Sequence, residues 1–68
     1  MTVAAKMKQT VAGLKSAQAS LETFALETEN EQAKQLFQQA AQQTQGIVDS
    51  LDPRLQQIEE EEPQYKQQ

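Results

Sequence analysis

The chain has 68 residues and a formal net charge of −4; 37% of its residues are hydrophobic, 4% are aromatic, and it contains no cysteine and no histidine. A chain this short forms one domain that buries a small share of its surface, and neither a disulfide nor an ordinary zinc site can staple it, so oligomerisation is the stabilising device left. The acidic balance weighs against non-specific nucleic-acid binding, which needs clustered Lys and Arg, and no run approaches the ~20 apolar residues of a membrane span.

The apolar residues of the first segment keep helical time. Val3, Met7, Thr10, Leu14, Ala17, Leu21, Phe24 and Thr28 alternate steps of four and three, and Ala4, Val11 and Ala25 thicken the stripe on one side. This predicts a first helix over about residues 2–27, with Lys6, Lys8, Gln9, Lys15, Ser16 and Glu22 on its polar face. Gly13 weakens it by about 1 kcal/mol relative to Ala at an exposed site.

A second stripe runs through Ala33, Phe37, Ala40, Thr44, Ile47, Leu51, Leu55 and Ile58, widened by Leu36, Ala41 and Val48. Continuing the first stripe in register would place apolar residues at Glu31, Gln35, Gln38 and Gln42, and all four are polar. A single continuous coiled coil does not tolerate such a jump in phase, whereas a turn does. Thr28-Glu29-Asn30-Glu31 reads as a Thr-x-x-Glu capping box, with Asn30 as an alternative cap. The second helix is therefore expected over about residues 31–62, antiparallel to the first.

Asp52-Pro53 leaves two readings open. Proline in a helix interior kinks it at about 3 kcal/mol, but suits the first position of a new helix capped by Asp52. The stripe persists through Leu51, Leu55 and Ile58, so a kink or break around residues 49–53 is expected, with the kink favoured because the two helices then match in length. Glu62-Pro63 ends helical order, which makes residues 1–62 the domain and 63–68 a flexible tail.

Lys6, Lys8 and Lys15 are the only charged residues among the first twenty, and Glu59 to Glu62 form an acidic run. Each cluster has the unfavourable sign for its own helix end, and an antiparallel hairpin brings the two together, although exposed pairs contribute only about 0–1 kcal/mol each. A solvated acidic tail is the plainer alternative. Glutamine makes up about a fifth of the chain; a surface that approaches another protein without charge repulsion and a compositional habit both explain it.

Catalysis is not expected. Without His or Cys the common nucleophile–base pairs cannot form, and the two glycines, Gly13 and Gly46, fall inside helical patterns rather than in a phosphate-cradling loop. Asp49 and Asp52 share a face but lack the spacing of a calcium loop. No cofactor and no metal site is expected.

The pieces Gln18-Ala19-Ser20-Leu21-Glu22-Thr23-Phe24-Ala25 and Glu62-Pro63-Gln64-Tyr65-Lys66 carry a resemblance that covers nearly the whole chain. The sequence resembles the small bacterial family known as domain of unknown function 1657. That resemblance implies a product of endospore-forming bacteria, encoded beside channel and germination proteins of the spore membrane, and it brings no catalytic residues.

The combined expectation is an all-α, antiparallel helical hairpin that assembles into a four-helix bundle. Its core and oligomer seam would comprise Met7, Val11, Leu14, Leu21, Phe24, Leu36, Phe37, Ile47, Val48, Leu51, Leu55 and Ile58. The expected partner is another copy, as a homodimer or higher homo-oligomer. A membrane protein of the spore is the alternative partner, and nucleic acid binding and membrane insertion are not expected. The compartment would be the cytoplasm, or the forespore or spore if the resemblance holds there.

Overall fold

The structure, a computed structural model, describes residues 3–61. Two helices account for nearly all of it: α1 (Val3–Glu27) and α2 (Glu31–Glu61), with no strand among the described residues. The domain is thus an all-α helical hairpin. Its radius of gyration is 15.4 Å, against about 11 Å for a compact globule of this length. With extents of 49 × 18 × 11 Å, the described chain is one helix layer deep.

The turn takes three residues. The Thr28 amide donates to the Phe24 carbonyl at 2.9 Å, which extends the last turn of α1 by one bond. Asn30 then caps α2: its Oδ1 accepts from the Ala33 amide at 2.9 Å, and its carbonyl accepts the first helical bond, from Lys34, at 2.9 Å. This is the side-chain-to-third-amide geometry of an N-cap, and Glu31 adds negative charge in the first turn, where the helix dipole favours it. Of the two caps the sequence allows, the structure uses Asn30. Thr28 Oγ1 instead accepts from the Asn30 amide at 3.3 Å, bracing the turn. Asn30→Ala is expected to lower unfolding free energy by about 1 kcal/mol, read as a lower urea midpoint with unchanged slope; an unchanged midpoint would show that the cap contributes nothing.

Pro53 lies inside α2, which continues to Glu61, so there is no third helix among the described residues. Proline removes one ladder bond and crowds the Asp49 carbonyl. The helix persists because the residues beyond Pro53 still have apolar surface to bury: Leu55 is buried and Ile58 half-buried against α1. Fully burying a side chain such as Leu55 contributes about 1.5–3 kcal/mol, enough to offset most of the proline penalty of about 3 kcal/mol. Residue 2, read as the first of helix 1, residue 62, read as the last of helix 2, and the tail at 63–68 lie outside the described residues.

The core is a thin seam of small side chains: Ala4, Val11 and Ala25 from α1 meet Ala41, Val48 and Leu55 from α2. Met7, Leu14, Gln18 and Leu21 of α1, Thr28 of the turn, and Lys34, Phe37, Thr44, Leu51 and Ile58 of α2 interleave with them, all half-buried. Both sets keep the three–four spacing, but one residue away from the sequence reading. Val3, Thr10, Ala17 and Phe24 stand outside the seam, and Ala4, Val11, Gln18 and Ala25 occupy it. In α2, Ala41 and Val48 likewise lie deeper than Ala40 and Ile47. One residue is a rotation of about 100°. Met7, Leu14 and Leu21 belong to either phase, and the phase adopted sets Ala and Val where the two backbones approach.

Candidate functional site

That rotation gives the hairpin two unlike edges. On one, the positions just after Met7, Leu14 and Leu21 in α1 and just after Phe37, Thr44, Leu51 and Ile58 in α2 are all polar, and several pair across the helices. Lys8 Nζ lies 3.3 Å from Glu59 Oε2, and Lys15 Nζ lies 3.8 Å from Asp52 Oδ2. Between the turn and these pairs, the Gln18 amide donates to Gln45 Oε1 at 2.7 Å, and the Gln45 amide donates to Asp49 Oδ1 at 2.7 Å. These contacts fix the antiparallel register and close this edge. Each ion pair is solvent-exposed on the lysine side and contributes about 0–1 kcal/mol. Nearer the turn the same edge opens into a shallow groove of about 670 Å³ lined by Gln18, Glu22, Leu26, Gln38, Gln42 and Gln45, with Ala25 and Ala41 at its floor. Its walls are mostly amides, with one carboxylate.

The other edge is apolar. It holds the positions just before Ala4, Val11, Gln18 and Ala25, which are Val3, Thr10, Ala17 and Phe24 in α1, and those just before Lys34, Ala41, Val48 and Leu55, which are Ala33, Ala40, Ile47 and Arg54 in α2. Leu36 lies one step further round. Phe24 and Phe37 stack edge-to-face across the helices, with ring centroids 6.0 Å apart. Even so, 49% of Phe24 and 49% of Ile47 stay exposed, as do 60% of Val3 and 61% of Leu36. Four of the five large apolar residues exposed in the described chain therefore share one edge; Leu26, at 83%, is on the other side. Large exposed apolar patches mark interaction sites as a rule, and this edge is the candidate for one.

Of the twelve residues assigned to the seam from sequence, Val11, Val48 and Leu55 are buried between the helices, and Met7, Leu14, Leu21, Phe37, Leu51 and Ile58 are half-buried there. Leu36 and Ile47 lie on the apolar edge outside the intramolecular seam, and Phe24 stands there too, its ring reaching across to Phe37. The sequence reading missed Gln18, whose seam position follows from the spacing Ala4, Val11, Gln18, Ala25. A polar residue in an otherwise apolar three–four series was the available signal.

The family model described as "Protein of unknown function (DUF1657)" matches residues 7–55. The chain belongs to this family. The matched span of DUF1657 takes in α1 from Met7, the turn, α2 through Leu55 and most of the apolar edge. Comparison with curated proteins and with solved structures found no match. No helix among the described residues is long and apolar enough to cross a membrane, and no group of three potential metal ligands occurs among them.

Proposed function

We propose that the chain is a non-catalytic self-association module that buries its apolar edge against a second copy, forming a four-helix bundle. The observation that carries this is the segregation of Val3, Phe24, Leu36 and Ile47 onto the edge opposite the ion pairs. A one-layer hairpin covers only one stripe per helix, and each helix here has two. The lack of His and Cys supports the non-catalytic part. The family resemblance supports a setting in the cytoplasm of a spore-forming cell or in the spore itself. Sedimentation equilibrium at micromolar concentration is expected to give twice the 7.6 kDa chain mass or more, with a thermal midpoint that rises with concentration. A well-folded monomer with a concentration-independent midpoint would overturn the proposal.

The same edge also suits an amphipathic helix of another protein, and the resemblance favours a membrane protein of the spore as that partner. This adaptor reading requires purified chain that stays monomeric and gains helix only when the partner's helix is added.

A further inference from the structure

Resting on the self-association reading, we propose how the second copy lies: its α1 runs antiparallel to α1 of the first, about a two-fold axis that lies in the interface and crosses the helices at the level of Ala17 and Ile47. Three observations converge on that axis.

The first is charge. Lys6 and Glu27 lie near opposite ends of α1 on the rim of the apolar edge, on the row that also holds Gly13 and Ser20. Neither makes an ion pair within the described chain, where Lys8 and Lys15 are the lysines engaged. An antiparallel copy sets each Lys6 beside the Glu27 of the other chain, twice by symmetry. A parallel copy lays α1 over α2 of the other chain instead, where the facing rim row holds Leu36, Gln43, Ser50 and Gln57 and offers neither charge a partner.

The second is level. The Lys15–Asp52 pair and the Gln18–Gln45 bond hold this stretch of α2 beside the middle of α1. Ile47 therefore stands level with Ala17, and Ala17 is also about midway between Lys6 and Glu27. One axis serves both helices, and each half-exposed Ile47 meets its own copy across it, as a self-complementary two-fold interface requires.

The third is room and area. Gly13, with open space where a Cβ would be, Ala17 and Ser20 present little bulk near the axis, so the two α1 backbones can approach. The hairpin's footprint of 49 × 18 Å is of the size that supplies the roughly 800 Å² per partner of a standard stable interface.

The chain has no cysteine, so single-cysteine variants report contacts cleanly. Under mild oxidation Ala17→Cys is expected to form a covalent dimer, and Val3→Cys, far from the axis, is not. Lys6→Glu should weaken dimerisation about three- to ten-fold at low salt, and adding Glu27→Lys in the same chain should restore it. Cross-linking at Val3→Cys without Ala17→Cys would overturn the antiparallel arrangement and leave self-association standing. Cross-linking only at Leu26→Cys would put the interface on the opposite edge and overturn the axis. A monomeric parent chain would remove both this inference and the reading it rests on, while a dimer indifferent to the charge exchange would overturn the Lys6–Glu27 pairing.

Discussion

Val48→Asp is expected to leave the chain largely without helix at 25 °C. Val48 is 2% exposed and is the largest fully buried side chain in the described hairpin. A carboxylate there falls among Ala, Val and Leu side chains, since the seam's one lysine, Lys34, stands two heptads away beside the turn, and burying it without compensation costs on the order of 3–5 kcal/mol. A single core of this size supplies about 3–5 kcal/mol in total, so one such change consumes the whole margin. Far-UV circular dichroism at neutral pH should show the loss directly. A variant that keeps its helix signal, with a thermal midpoint within a few degrees of the parent, would mean that the seam through Val48 does not hold the hairpin together.

Ile47→Glu, one residue away, is expected to act by a different route. Ile47 is already half exposed, so within one hairpin the change removes only part of an apolar side chain's burial, on the order of 1 kcal/mol. Across a two-fold axis it sets carboxylate against carboxylate in the middle of the interface, and measured mass should fall to that of the single chain. The thermal midpoint should fall as well and lose its dependence on concentration. Leu26→Glu is the matched control. Leu26 is more exposed, at 83%, but sits on the polar side of the hairpin, so its replacement should shift stability by no more than about 0.5 kcal/mol and leave the mass unchanged. If Leu26→Glu dissociates the assembly and Ile47→Glu does not, the interface lies on the polar side.

The two helices, the position of the turn and the antiparallel attraction of the lysines to the acidic end were legible in the sequence because each follows from a pattern along one strand of text. The break in phase between Thr28 and Ala33 marks the turn, and the structure ends α1 at Glu27 and begins α2 at Glu31. Which stripe faces inward was not legible. Val3, Thr10, Ala17 and Phe24 are bulkier as a set than Ala4, Val11, Gln18 and Ala25, and counting apolar bulk favours them. The choice depends on what the facing helix offers, and that is a property of the pair. Asn30 illustrates the same point at the turn: Thr28 satisfies the capping-box spacing, but Asn30 is the residue whose side chain reaches the Ala33 amide.

The three-residue turn also sets an order in which the contacts can close. Phe24 and Phe37 are separated by a short stretch of chain, Gln18 and Gln45 by 27 positions, and Lys8 and Glu59 by most of the described length. Each contact made near the turn shortens the loop that the next must close, so the entropy of closure is met in small steps as the hairpin zips toward its open end. Residues beside the turn then govern how fast the hairpin forms. Those at the open end, the Lys8–Glu59 pair among them, govern how long it stays closed.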